Sequence, residues 1–448
     1  MVFTALKSVM EEYGRPATVG WLVTSYLLMS AASSAICGRL GDLFGRRTVL
    51  LTVLGLAGAG SVVSALSPSL EGVILGRFLQ GFSGALLPLT IGLTREHVPQ
   101  KHLAISIGVV SAASAAGGGL GMLLGGVLID QLGWRSIFWA SSGFVIVSVT
   151  AAMLFIPRSR SGAPSGSLDF IGGLLFVPAV AGALLALSNA REWQVDLRFW
   201  GLLAASAALF AVWVWHELRH PNPLIEVRLL ANPRIALPNA AMGLCALGAF
   251  NFAQLLLLMM QQPVWTGVGL GLSATLAGLI KLPGNFIASA VSPVFGWACD
   301  RFTGGVVAAA GMGLSALCCL VVAAWPENLP LLAITVTVMT VATATVYVAV
   351  PGILVQVAPP SRTSETIGMF SVIRSLSQAV GAQVMLVLLA TSTVRDPNGG
   401  PAVFPSLSAY QLTLGVLAAT CLASALVALR FPRVQSAPST AAPVKAHA

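Results

Sequence analysis

The sequence predicts an all-α polytopic membrane protein, and three observations carry that prediction. First, the 448-residue chain is 56% hydrophobic and only 9% charged, too little charge to cover a soluble globule of this size. Second, its mean hydropathy is +0.87, and apolar runs of about 20 residues, the length of helix that crosses a bilayer, recur along nearly all of it. Third, those runs are continuous rather than alternating. Lipid requires each backbone group to be bonded within its own structure, so continuous runs mean helices and not a barrel.

Thirteen runs qualify, at 18–37, 49–66, 71–93, 103–128, 136–156, 170–187, 199–215, 236–258, 272–297, 305–324, 329–352, 366–390 and 410–429. Residues 1–17 are too short and too polar for a span and carry no signal-peptide pattern. The first run ends in a charged segment, Gly38-Arg39-Leu40-Gly41-Asp42-Leu43-Phe44-Gly45-Arg46-Arg47, expected to be a tight loop. The third contains Arg77, Gln80, Gly81, Gly84 and Pro88 at helical spacing; an arginine there is costly in hydrocarbon and should face a cavity or a partner. The fourth contains Gly108, Gly117, Gly121, Gly125 and Gly126, whose small faces let helices pack closely.

The polar stretches 157–169 and 216–234 bracket the sixth and seventh runs. In the ninth, Lys281 and Asn285 stand four apart around Pro283; in the twelfth, Arg374 and Gln378 repeat the spacing, and Pro283 and Pro351 leave their span boundaries open. Tyr26, Asn251 and Gln254 are candidate cavity-lining residues; Gln261, Gln262 and Trp265 near span ends read as interfacial anchors or interhelical bonds. The tail from Arg433, with Ser436, Pro438, Ser439, Thr440 and Pro443, is expected to be disordered.

The net charge of +9 is a topology signal rather than nucleic-acid affinity. If the 38–47 segment is cytoplasmic, alternate loops give that side fifteen Lys and Arg and the opposite side six, as the positive-inside rule requires. Arg77, Lys281 and Arg374 fall inside spans, while all fifteen Asp and Glu lie in loops or near span ends. Such a charge balance favours anionic or neutral substrates over lipophilic cations. The six cysteines, Cys37, Cys245, Cys299, Cys318, Cys319 and Cys421, form no CxxC or Cys/His cluster, which argues against disulfides and metal. No Ser/His/Asp order, phosphate loop or paired intramembrane carboxylate is visible, and the five histidines sit in loops, at span ends or in the tail. No enzyme, cofactor, metal or nucleic-acid partner is expected.

The segment Gly-x-Leu-Gly-Asp-x-x-Gly-Arg-Arg resembles the loop motif of the major facilitator superfamily of secondary transporters, matching at Gly38, Leu40, Asp42, Gly45, Arg46 and Arg47, although that family often has a basic residue where Leu43 stands. The run Gly76–Gly84 resembles the family's arginine motif, and Gly108, Gly117, Gly121, Gly125 and Gly126 reproduce the register of its antiporter motif, with Met122 in place of a proline. Gly296-Trp297-Ala298-Cys299-Asp300-Arg301 is a weaker second copy of the loop motif; its downstream glycine is displaced to Gly304 and the paired arginines are absent.

The resemblance implies the major facilitator fold, two helical bundles plus two inserted helices. Residues 18–156 are then an N-terminal bundle, 157–216 the inserted pair with its polar loop, 217–234 a cytoplasmic linker, 235–429 the C-terminal bundle and 430–448 a cytoplasmic tail. It implies a gating loop at Gly38, Gly41, Asp42, Gly45, Arg46 and Arg47, echoed by Asp300 and Arg301, that latches the outward-facing state. It implies proton coupling or cavity roles for Arg77, Gln80, Lys281, Asn285, Arg374 and Gln378.

Thirteen spans with a cytoplasmic C-terminus place residues 1–17 outside, and Phe3–Val9 resembles the end of a first helix in the fourteen-helix drug:proton antiporter branch. Residues 1–17 are accordingly read as the remnant of that helix and its external loop. The resulting expectation is a transporter of the inner cell membrane that exports a small organic compound by alternating access, with protons as coupling ion. An uptake symporter for an organic anion, and a non-transporting receptor or fragment, are the alternatives.

Overall fold

The computed structural model describes residues 2–13, 16–157, 169–189, 193, 196–221, 223, 227–357, 363–395 and 403–431. Each of the thirteen apolar runs is a helix or two helices in succession, and one further helix precedes them. In chain order these are α1 (Val2–Tyr13), α2 (Pro16–Phe44), α3 (Arg46–Leu66), α4 (Leu70–Gln80), α5 (Leu86–His97), α6 (Gln100–Leu132), α7 (Ser136–Phe155), α8 (Phe170–Ser188), α9 (Leu197–Arg219), α10 (Pro233–Leu247), α11 (Ala249–Gln261), α12 (Ala274–Phe302), α13 (Gly304–Ala324), α14 (Leu329–Val357), α15 (Thr363–Leu389) and α16 (Leu407–Ala428). Ten helical segments among the described residues are long and apolar enough to cross a membrane; Ala116–Leu132 and Ile171–Leu187 are shorter apolar helices. A small antiparallel hairpin, β1 (Thr393–Arg395) with β2 (Val403–Pro405), pairs Val394 with Phe404 before α16.

Polar side chains at the starts of the helices hold backbone N–H groups that have no partner within the helix. Ser69 caps α4, Asp169 α8, Asp196 α9, Asn232 α10, Ser273 α12 and Ser406 α16. Helices α2 to α7 pack as one bundle and α10 to α16 as a second, with α8 and α9 lying against each other and α8 touching both α2 and α15. The bundles meet along α2 with α15 and α6 with α12. Outward faces are apolar: Phe144 is 74% exposed, Phe155 81% and Leu174 74%, surface that lipid covers at no penalty.

Several expectations are corrected. The 38–47 segment is not a loop: residues 38–44 are the last turns of α2, Arg46 opens α3, and Gly45 alone breaks the chain, at φ 87°. Glycine reaches that conformation without a Cβ clash, so one residue suffices for the turn. Pro283 and Pro293 lie inside α12 and Pro351 inside α14, so no boundary falls at them; neighbouring helices and side chains compensate the bonds that intramembrane prolines forgo. The third run is α4 and α5 joined by a 3₁₀ turn at Gly81–Ala85, and the eighth is α10 and α11 broken at Gly248. The seventh run extends to Arg219, past the expected linker boundary at 217. The expected disordered tail lies almost wholly outside the described residues.

α1 is a 12-residue helix, about 18 Å long at 1.5 Å per residue. Ala5, Leu6 and Val9 are buried, and α1 touches α2, α6, α11 and α12. Its end is clasped to the α6–α7 turn. Glu12 accepts from Trp134 Nε1 at 2.6 Å and from Arg135 at 3.0 Å, and Tyr13 lies edge-on to Trp134.

Candidate functional site

The bundles touch at the end of the molecule that carries Gly133. There Asp130, near the end of α6, accepts from Ala274 N at 3.1 Å and Thr275 N at 2.8 Å, holding the start of α12. A carboxylate at a helix N-terminus also meets the positive end of the helix dipole. Deeper along the same pair, a Cβ added at Gly126 would lie 2.5 Å from Ala274 O, one at Gly278 2.8 Å from Met122 O, and one at Gly119 2.9 Å from Asn285 Nδ2. Gly119 and Gly126 thus let α12 approach, and the former stands outside the expected motif register. Gly117 meets nothing within 4 Å; Gly108, Gly121 and Gly125 lie on α6, with Gly125 buried. Between α2 and α15, Gln383 Nε2 donates to Thr24 Oγ1 at 2.8 Å, and Gly20 faces Leu386 and Gln383. Toward the Gly45 end, a Cβ at Gly296 on α12 or Gly368 on α15 would meet nothing within 4 Å among the described residues.

In the first bundle, Tyr26, Arg77 and Gln80 come together. Arg77 is 9% exposed. Its Nε donates to Leu22 O on α2 at 2.9 Å, its Nη1 to Gln80 Oε1 at 2.6 Å, and its guanidinium lies 4.3 Å from the centre of the Tyr26 ring. Gln80 passes the chain on to Ser61 Oγ at 2.7 Å, and Ser61 to Ala57 O at 3.0 Å, so one arginine links α2, α4 and α3. Tyr26 hydroxyl lies 3.2 Å from Ser83 Oγ.

The second bundle spreads its candidates. Lys281 Nζ donates to Thr340 Oγ1 on α14 at 2.5 Å, beside a narrow apolar gap lined by Leu256, Met260, Ile280 and Val336. Arg374 donates to Tyr347 hydroxyl, whose ring stacks on Phe250 with centres 5.2 Å apart. Asn251 bonds Ala246 O and Leu247 O and reaches Gln378 O at 3.4 Å. Gln254 is 1% exposed, and neither atom of its amide has a hydrogen-bond partner among the described residues. A buried amide in that condition is strongly disfavoured unless something else bonds it.

At the Gly45 end, Arg46 Nη1 donates to Gly92 O at 2.9 Å and lies 3.8 Å from Glu96 Oε2; Arg47 Nη2 donates to Met153 O at 2.7 Å. Both reach α5 or α7 of their own bundle. Gly41 is where α5 crosses, a Cβ there lying 2.7 Å from Leu89. Arg301 lies against the rings of Trp297 and Phe302, exposed. Gly38 lies in the last turns of α2, and the side chains of Asp42 and Asp300 lie outside what the structure describes. Residues not anticipated from sequence are Asp130, Thr24, Gln383, Thr340 and Tyr347, because each is recognisable only by its partner on a distant helix. Ser273 ahead of an apolar run was the one local signal, since serine is a preferred N-cap.

Two helical bundles that meet along paired helices, with a buried arginine in the first and half-buried cations in the second, have the build of a membrane transporter. The family model of the Major Facilitator Superfamily matches residues 1–382 and again 285–447, and the chain belongs to that superfamily. It is 32% identical over 343 residues to an uncharacterized MFS-type transporter of Mycobacterium tuberculosis, covering 74% of this chain and 48% of that one. It is 31% identical over 308 residues to the tetracenomycin C resistance and export protein of Streptomyces glaucescens, covering 67% of this chain and 55% of that one. The chain thus spans about half the length of these curated relatives. Its fold is similar to that of the nucleoside transporter NupG, with a TM-score of 0.65 at 14% identity over 96% of this chain and 95% of that one.

Proposed function

We propose that the protein exports a small organic compound across the cell membrane by alternating access, in exchange for protons, with its C-terminus in the cytoplasm. One observation carries the reading: the bundles are joined at the Asp130 end, through the Asp130 cap on α12 and the glycine contacts of α6, whereas among the described residues a Cβ at Gly296 or Gly368 toward the opposite end would meet nothing within 4 Å. Under the positive-inside orientation that joined end is external, so the arrangement corresponds to an inward-facing state. Similarity to a protein named for resistance and export supports the outward direction of transport. The buried Arg77 and the half-buried Lys281, with no carboxylate in the middle of a span, suit a neutral or anionic substrate.

Inverted membrane vesicles acidified inside and carrying a pH-reporting dye test this. Tetracenomycin C, the anionic dye anilinonaphthalene sulfonate and cationic ethidium are added outside in turn. Export by antiport predicts alkalinisation of the lumen with one of the first two and none in vesicles lacking the protein. Alkalinisation only when the compound is preloaded inside indicates an uptake symporter. Flux of the compound without proton movement removes the coupling, and no flux at all removes the transporter reading.

A further inference from the structure

The inserted helix pair carries a cluster of side chains that the transport path does not use. Helix α9 ends in His216-Glu217-Leu218-Arg219, and His220 is its C-cap. The two imidazoles, four residues apart, lie with their ring centres 5.2 Å from each other. Facing them is Asp169, the N-cap of α8, whose side chain is 2% exposed. His216 Nε2 lies 2.9 Å from Oδ1 and 3.0 Å from Oδ2 of Asp169, and His220 Nδ1 lies 3.9 Å from Oδ2. One donor atom from each of the three residues lies within 4.8 Å of the other two.

We propose that Asp169, His216 and His220 form a binding site for a divalent transition-metal cation of the Zn²⁺ class. Two imidazole nitrogens and a carboxylate oxygen are donors such a cation takes at roughly 2.0–2.2 Å, leaving a fourth tetrahedral position for water. Small movements of the two imidazoles bring the three donors to those distances. Calcium and magnesium prefer all-oxygen sets, and imidazole selects Zn²⁺, Ni²⁺ or Cu²⁺. The His-Glu-x-x-His spacing is also that of zinc hydrolases, in which the glutamate acts as a base toward water. Glu217 is 0% exposed, and its carboxylate instead packs against α8: a Cβ added at Gly172 would lie 2.7 Å from Glu217 Oε1 and 2.5 Å from Asp169 Oδ2. The site is therefore a clamp rather than a catalyst. It fixes the start of α8 to the end of α9, where the segments leading to the two bundles leave the inserted pair.

The full chain, purified through a tag without histidines and stripped with a chelator, is titrated with Co²⁺ while the visible d–d absorption of a four-coordinate ion is followed. The expected result is one equivalent bound, displaced by Zn²⁺, with the band lost or the dissociation constant raised at least about tenfold in His220→Gln. Asp169→Ala would also remove the α8 cap; His220→Gln leaves both that cap and the His216–Asp169 bond in place, so its result does not depend on folding of the capped helix. Absence of a band, or a band that survives both His216→Gln and His220→Gln, overturns the proposal. Neither outcome depends on transport.

Discussion

In the first bundle the guanidinium of Arg46 ends on the carbonyl of Gly92, that of Arg47 on Met153 and that of Arg77 on Leu22. In the second bundle Lys281 ends on the hydroxyl of Thr340, Arg374 on the hydroxyl of Tyr347, and Arg301 on aromatic rings. A helix carbonyl is fixed by its backbone, so a side chain bonded to it is tied to that helix. A hydroxyl rotates, and Thr340 keeps its own bond to Val336 O at 2.7 Å whether or not Lys281 is present. The cations of the first bundle therefore hold helices together, while Lys281 and Arg374 have partners that can release them to a substrate or a changing proton load.

Replacing one cation from each set breaks this comparison if it is wrong. Arg77→Met leaves Leu22 O and Gln80 Oε1 without their buried donor and should lower stability by about 3 kcal/mol, together with nearly complete loss of transport. Thermal unfolding in detergent and vesicle flux read the two effects separately. Lys281→Met should reduce transport by about a hundredfold, roughly 2.7 kcal/mol in barrier, while leaving the melting temperature equal or higher, because a half-buried ammonium is replaced by an apolar chain of similar length. A large fall in melting temperature for the Lys281 variant, or none for the Arg77 variant, would erase the distinction.

Helix positions were legible in sequence because a bilayer permits only long apolar helices, and each of the thirteen runs coincides with helical structure, although ten helical segments among the described residues are long and apolar enough to cross a membrane. Gly248 and the 3₁₀ turn at Gly81–Ala85 were not legible, since a break inside a continuous apolar run leaves hydropathy unchanged. Arg77 and Gln80 were readable as a pair from their i, i+3 spacing; the carbonyl of Leu22 that fixes them belongs to a helix 55 residues away and has no side-chain signature. The capping of α12 by Asp130 is hidden for the same reason, because its partners are backbone N–H groups. His216 and His220 had a readable spacing, but Asp169 lies 47 residues earlier and joins them only when α8 folds against α9.

The two copies of the charged turn sharpen the comparison further. Gly45 stands three residues after Asp42 and precedes α3 with φ 87° and ψ 125°; Thr303 stands three residues after Asp300 and precedes α13 with φ 84° and ψ 139°. The backbone thus repeats even where the sequence does not, and the glycine of the second copy comes one residue late, at Gly304. Gly45→Thr should destabilise by about 2 kcal/mol, the strain of a β-branched residue at positive φ.

The reverse change is the smallest effect and the most telling, because it has the opposite sign. Thr303 is exposed and is the one non-glycine residue at positive φ among the described residues, so removing its Cβ relieves strain without opening a cavity. Glycine also enlarges the unfolded ensemble, which offsets part of the gain. Thr303→Gly should therefore raise stability by about 1 kcal/mol, seen as a small rise in melting temperature of the second bundle. A fall instead would mean that the turn bends freely in the folded protein, and the repeat of backbone conformation between the two halves would then have no energetic meaning.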